Sequence, residues 1–384
     1  MTPLPVVDLK AQFETIRDEV LAAVSEVLES QRFILGPKVG ELERRVAELT
    51  GVPHAVGCAS GSDALILALA ACGIGAGAEV VTSPFTFFAS AGSITHAGGR
   101  PVFCDIDSSF NLDPLRLESC LGLNVKAVMP VHLFGLCADM DPILRLCASR
   151  GLAVVEDTAQ AIGATYRGTD GRRPERVAGG MGSAGSLSFF PTKNLGGAGD
   201  GGMVTTGDEA LANRLRLLRV HGGRKMYHHE VVGWNSRLDE LQAAILLVKI
   251  GHLRDWSEAR AAHAALYDRL FTEARLVSEG LLTLPPRRAG SGHIFHQYTI
   301  RTPRRDALRA HLETLGVSTG VYYPVPLHLQ ECFRPLGYAA GDFPEAEKAS
   351  REVLSLPIYP EMPETAQRMV AREIAAFHGL AVTA

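Results

Sequence analysis

Ser186-Leu187-Ser188-Phe189-Phe190-Pro191-Thr192-Lys193-Asn194-Leu195 runs straight into Gly196-Gly197-Ala198-Gly199-Asp200-Gly201-Gly202. A short apolar strand-like run, a tight proline-containing turn, one lysine and a glycine-rich stretch follow one another. Surface lysines usually sit among polar neighbours on a helix face. A lysine fixed between aromatics and glycines can lose its proton by desolvation and attack a carbonyl carbon. A structural lysine that caps a helix or pairs with a carboxylate reads the same way from this segment alone.

Two further segments bear on that choice. Gly151-Leu152-Ala153-Val154-Val155 has the β-branched character of a buried parallel strand, and it ends in Glu156-Asp157-Thr158-Ala159-Gln160-Ala161. Asp157 then stands at the carboxyl end of a strand, the edge of an open α/β sheet where ligands bind. Its alternative role is the N-cap of a following helix. Lysine and aspartate after successive strands point to pyridoxal phosphate: the amine holds the aldehyde, and the carboxylate keeps the pyridine nitrogen protonated. Cys58-Ala59-Ser60-Gly61-Ser62-Asp63 lies between an apolar stretch and the helix formers of residues 64–71. A strand, a turn of small residues and a helix start make an anion site, with Gly61 allowing a phosphate close to the backbone. Ser and Asp also cap helices that bind nothing.

With these residues in place, the chain resembles the sugar-nucleotide aminotransferases of the DegT/StrS type, a branch of the fold type I pyridoxal phosphate enzymes. The resemblance runs nearly end to end: Asp8-Leu9-Lys10, Phe33-Ile34-Leu35-Gly36-Pro37, Gly61-Ser62-Asp63-Ala64-Leu65, Ser83-Pro84-Phe85-Thr86-Phe87, Pro130-Val131-His132-Leu133-Phe134-Gly135, Glu156 to Gln160, Phe189 to Gly196, and Asn235-Ser236-Arg237-Leu238-Asp239-Glu240-Leu241-Gln242-Ala243-Ala244. Eight segments in one order are far more specific than any single one.

The resemblance implies a role for each matching position. Lys193 would bind the cofactor covalently and shuttle the proton, and Asp157 would pair with the ring nitrogen. Gln160 would lie near the ring hydroxyl and Phe87 would stack on the ring face. Ser188, with the backbone at Gly61, Ser62 and Asp63, would hold the phosphate. Asn235 would reach the phosphate of a neighbouring subunit, which implies a homodimer with shared sites. The implied reaction moves an amino group, usually from glutamate, to a keto sugar on a nucleoside diphosphate. Relatives with histidine at the lysine position perform dehydration instead, and lysine at 193 argues against that branch. The segment from His221 to Arg237 looks like members that aminate C3 of a 3-keto hexose; a 4-keto sugar or a keto cyclitol is the alternative. Tyr322, Tyr323 and His328 lie in the substrate-side region. Arg237 either recognises a carboxylate or phosphate or is an ion-pair partner of Asp239 or Glu240.

Composition is compatible with such an enzyme and bounds its partners. At 384 residues the chain exceeds the usual size of one core. A formal charge of −4 makes neither nucleic acid nor an anionic membrane an evident partner. Direct DNA binding by a regulator would call for a basic helix-turn-helix region, and none is visible. Seven cysteines without a Cys-x-x-Cys pair suit reduced thiols, and the start of the chain lacks a secretory pattern, so a cytoplasmic location is expected. No His/Asp/Glu cluster has metal spacing, and His132 and His296, in apolar runs, read as core residues.

Along the chain, residues 13–29 carry helical periodicity, with Ile16, Val20, Val24 and Val27 on one face. Between residues 52 and 206, strand-like runs alternate with helical ones. The expected fold is therefore α/β: a mainly parallel central sheet flanked by helices, of the fold type I aminotransferase kind, with a smaller C-terminal α+β domain. The expected division is 1–250 for the large cofactor-binding domain and 251–384 for the small one. Residues 168–180, with three arginines, read as a surface loop rather than as a contact for an anionic substrate.

Overall fold

Strands that read as unbroken apolar runs are buried on both faces. The computed structural model describes residues 3–168 and 170–380. Its strands are β1 (His54–Cys58), β2 (Glu79–Thr82), β3 (Arg100–Phe103), β4 (Val125–Met129), β5 (Ala153–Asp157), β6 (Thr165–Tyr166), β7 (Arg176–Val177), β8 (Ala184–Ser188), β9 (Gly202–Thr206), β10 (Tyr298–Arg301) and β11 (Val353–Leu356). Its helices are α1 (Leu9–Ser30), α2 (Pro37–Thr50), α3 (Gly61–Ala71), α4 (Phe88–His96), α5 (Pro114–Leu117), α6 (Met140–Arg150), α7 (Glu209–Leu218), α8 (Glu240–Glu273), α9 (Arg305–Thr314), α10 (Pro344–Glu352) and α11 (Glu364–Phe377).

Seven strands form one sheet in the order β1-β9-β8-β5-β4-β2-β3. The five strands from β8 to β3 are parallel, and β9 runs antiparallel to both its neighbours. Val80, Met129 and Val155 pack with α3 and α7 on one face. Val81, Val128 and Val154, one residue out of step, pack with α6 on the other. Where the sheet nears its β1 edge, Ala55, Leu187 and Met203 meet α2 and the first half of α8. The result is the expected sheet flanked by helices, and alternate burial fixes its register, since a one-residue slip would exchange the two faces.

The periodic segment at 13–29 becomes α1, capped by Asp8, whose carboxylate accepts from the N–H groups of Lys10 and Ala11, both at 3.0 Å. Ile16, Val20 and Val27 are buried as expected, while Val24 is only partly covered. The far end of the chain builds a separate core around the antiparallel pair β10–β11 with α9 and α11. Residue 250, the expected division, falls inside α8, a single helix of 34 residues. Leu246, Ile250 and Leu253 of this helix belong to the core under the sheet, whereas Ala264, Tyr267, Leu270 and Phe271 belong to the core of the smaller unit. The first described residues also join that smaller unit: Leu4 donates to Gly316 O at 2.8 Å and accepts from Ser318 N at 2.9 Å.

Strands β6 and β7 pair antiparallel, and Thr169 of the expected 168–180 loop lies outside the described residues. Arg173 and Arg176 both pair with Asp141 of α6, at 3.0 and 2.6 Å. Those two charges are thus committed to the outer face of the sheet.

Candidate active site

The carboxyl ends of β5 and β8 meet the start of α3 in one cleft of about 350 Å³. Asp157, the last residue of β5, pairs in register with Ser186 of β8, and Lys193 follows β8 by five residues. The lysine is held by a tight turn. Lys193 N donates to Phe190 O at 2.8 Å, and Gly197 N to Phe189 O at 2.8 Å. Helix α8 clasps the glycine-rich stretch beyond: Gln242 accepts from Ala198 N at 2.8 Å, and Lys249 Nζ donates to Gly196 O at 2.7 Å.

Burial pushes the Lys193 amine down to about 8, opposed by the charge of Asp157. Lys193 lines the cleft and makes no ion pair within 4.0 Å among the described residues. Asp157 does not cap a helix, for a turn follows it and its Oδ1 accepts only from Ala159 N, at 3.2 Å. Its Oδ2 accepts from Ser90 Oγ at 2.7 Å. Gln160 is fixed at both ends: Oε1 accepts from Phe134 N at 2.8 Å and Nε2 donates to Tyr323 Oη at 3.0 Å. Phe87, 56% exposed at the start of α4, leans toward Tyr323 with ring centroids 6.0 Å apart. These two rings and Tyr322 line the same cleft as Lys193 and Asp157.

At the base of α3 the N-cap is Ser60, whose Oγ accepts from Asp63 N at 3.1 Å. The N–H groups of Gly61 and Ser62 have no acceptor among the described residues, and Ser188 presents its hydroxyl beside them. Gly61 is required by the packing itself. A Cβ there would lie 2.5 Å from Ser188 Cβ, so the missing side chain makes room for β8. The Asp63 side chain turns away, accepting from Ser236 Oγ at 2.6 Å.

Besides Asp63, three expected site residues lie outside the cleft in this single chain. Asn235 is exposed in the segment after α7, where Val220 and Asn235 form a β-bridge. Arg237 lines a different, basic hollow with His221, Arg224, Lys225 and His229. Neither Asp239 nor Glu240 takes up its charge, since Glu240 instead accepts from the N–H groups of Lys38 and Val39 at the start of α2. His328 is an interior residue, with Nε2 3.1 Å from Glu347 Oε1 and its ring against Phe343.

Other residues in the cleft escaped the sequence reading. His296 was expected to be core, and although nearly buried it lines the cleft. Its Nδ1 stands 3.0 Å from Asn194 Oδ1, and burial, with the neighbouring Lys193 charge, holds its pKa well below the ordinary value. Asn194 donates its amide to Ile294 O at 3.2 Å, which orients Oδ1 as the acceptor and makes Nδ1 the protonated ring nitrogen. The available signal was adjacency, since Asn194 follows Lys193. Ser90 carried no comparable signal: it is one small residue within a helix that binds the carboxylate 67 positions away. His132 is core as expected, bonded to Glu156 at 2.8 Å.

A profile of the DegT/DnrJ/EryC1/StrS aminotransferase family matches residues 14–375. The chain belongs to this family. A pleiotropic regulatory protein of Geobacillus stearothermophilus is 50% identical over 98% of each chain. The UDP-N-acetyl-3-dehydro-alpha-D-glucosamine 3-aminotransferase of Acidithiobacillus ferrooxidans is 46% identical over 94% of this chain and 95% of its own. Among solved structures, DesV of S. venezuelae in complex with a ketimine intermediate superposes with a TM-score of 0.92 at 41% identity, covering 98% of this chain and 99% of that one. This DegT/DnrJ/EryC1/StrS member is thus a pyridoxal phosphate-dependent aminotransferase with the fold type I architecture. Its residues fit the cofactor: two unpaired N–H groups at a helix start, a hydroxyl beside them, a desolvated amine and a buried carboxylate share one cleft.

Proposed function

We propose that this aminotransferase moves an amino group from an amino acid, glutamate, to a nucleoside-diphosphate-linked keto sugar, a 3-keto hexose. The observation that carries the reading is that Asp157, at the end of β5, and Lys193, five residues beyond the end of the neighbouring β8, share one cleft with the start of α3. When bound, pyridoxal phosphate supplies an aldehyde that holds the amino group and a protonated ring that draws electrons from the adjoining carbon. Lys193, with its amine near 8, is free to take a proton from substrate carbon and to return it. Asp157 keeps a proton on the ring nitrogen, Phe87 and Tyr323 hold the ring's tilt, and Gly61, Ser62 and Ser188 anchor the phosphate. The name of the Acidithiobacillus relative supports a sugar oxidised at C3.

The reading includes a homodimer working in the cytoplasm. Asn235 and Arg237 lie on a segment bearing the exposed residues Met226, Tyr227 and Val232, and a second subunit covering this segment would bring them to its own cleft. It also treats the chain as two units, roughly 1–250 and 251–384, joined through α8.

Borohydride reduction of the protein with pyridoxal phosphate, followed by peptide mapping, should label Lys193. Turnover with glutamate should then be faster on a UDP- or dTDP-linked 3-keto hexose than on the 4-keto isomer or scyllo-inosose. An unlabelled Lys193 overturns the catalytic reading, and a preference for either competitor overturns the substrate. The regulatory name of the Geobacillus relative suggests a second reading, a regulator without turnover. A purified protein that shows no cofactor absorbance on addition of pyridoxal phosphate would favour it.

A further inference from the structure

We propose that Ser90 is a positioning residue of the active site, whose hydroxyl, backed by Thr86, aims the Asp157 carboxylate at the cofactor's ring nitrogen. The inference rests on the reading of the cleft as a pyridoxal phosphate site. Three buried groups stand in a row: Thr86 Oγ1 is 2.9 Å from Ser90 Oγ, which is 2.7 Å from Asp157 Oδ2. An ionised carboxylate only accepts, so the single Ser90 proton goes to Asp157. The Ser90 oxygen then accepts from Thr86, and the row has one direction. With Ala159 N on Oδ1 at 3.2 Å, each carboxylate oxygen receives one donor, and the carboxylate retains lone pairs for the ring nitrogen.

The placement on α4 gives the row a second property. Phe87 is the N-cap of this helix, and Ser90 N donates to Phe87 O at 3.2 Å. One helical turn therefore carries both the ring that lies over the cleft and the hydroxyl that sets the carboxylate. Hydrogen bonds to a charged acceptor in a buried site are strong and directional. Without this donor the carboxylate keeps only the bond from Ala159 N, and its aim at the ring nitrogen loosens.

Ser90→Ala tests the assignment. Relative to wild type, the dissociation constant of pyridoxal phosphate from the apo protein should rise roughly tenfold, and the absorption band of the bound cofactor should move at fixed pH. The kcat should fall roughly tenfold with KM for the keto sugar changed less than about twofold, as expected for a group acting through the electron sink. Ser90→Thr, which keeps the hydroxyl, should restore affinity and band. The thermal midpoint of each apo protein separates this from a folding defect, and if Ser90→Ala does not fold, Ser90→Cys carries the same comparison with a weak donor. A wild-type protein that binds the cofactor, alongside a Ser90→Ala variant of unchanged affinity and spectrum, overturns this proposal alone. A wild-type protein that takes up no pyridoxal phosphate overturns the reading of the site and this proposal with it.

Discussion

Gly61 and Ser188 are in direct contact: the start of α3 lies so close to the end of β8 that a Cβ on residue 61 would stand 2.5 Å from Ser188 Cβ and 3.1 Å from its Cα. The two groups expected to grip the phosphate thus owe their proximity to an absent side chain. Gly61→Ala should force helix and strand apart, costing about 1–3 kcal/mol as an overpacked contact and weakening cofactor binding at least tenfold. Cofactor titration and thermal unfolding report the two effects. Adding Ser188→Gly should return stability but not affinity, because the hydroxyl is then gone.

The Lys193 amine should show its lowered value in the pH dependence of cofactor attachment. With a value of about 8, roughly a tenth of the amine is free at pH 7 and half at pH 8. Stopped-flow mixing of apo protein with pyridoxal phosphate should speed up about fivefold over that interval and level off above it. Stability gives an independent check. Between the folded value of about 8 and the unfolded value of 10.5 the unfolded chain holds more protons, so the burial penalty is full below pH 8 and fades as pH rises through this window. The apo Lys193→Met variant should therefore melt above wild type at pH 7, and the gap should close toward pH 10.5.

Glu156 carries the strongest buried acceptor cluster near the site. Burial alone would raise its carboxyl, yet the hydrogen bond from His132 and the N–H groups of Gly179 and Gly182 hold it below the ordinary range. Met181 N adds a further bond at 2.7 Å. Glu156→Gln turns one oxygen into a donor facing donors and should cost about 3 kcal/mol or more at neutral pH by urea unfolding. The wild-type advantage is present above the unfolded value of 4.5 and is lost as pH falls through the lowered folded value. The two proteins should converge in acid.

Tyr323→Phe removes the acceptor for Gln160 Nε2 and leaves that amide end unsatisfied at the cleft wall. A loss of about 1 kcal/mol in cofactor binding is expected. A cycle with Gln160→Ala should show a coupling of similar size, and additive losses would mean that the two side chains act separately.

How much of this was legible in the sequence depends on the range of each interaction. The order of strand, turn and helix around Lys193, Asp157 and Gly61 is local, and the sheet edge that gathers them follows from buried β-branched runs. The antiparallel β9 was not legible, because parallel and antiparallel strands buried on both faces share the same apolar pattern. Ser90 and His296 were missed because their roles come from partners 67 and 102 residues away. Arg237 and Asn235 were placed by resemblance, and a single chain leaves them apart from the cleft. The division expected at 250 falls within α8, because composition does not mark where one helix passes from one core to another.

That shared helix makes the two units a geared pair. Its first half grips the lysine loop through Gln242 and Lys249, and its second half carries Arg260, whose guanidinium donates to the carbonyls of Phe295, His296 and Ile358. One residue inserted between positions 253 and 260 would turn the far half by about 100°, pulling Arg260 off the segment that carries His296 while leaving the grip on the lysine loop in place. The lysine and the histidine that share the cleft are therefore kept in step by the phase of one helix, their common shaft.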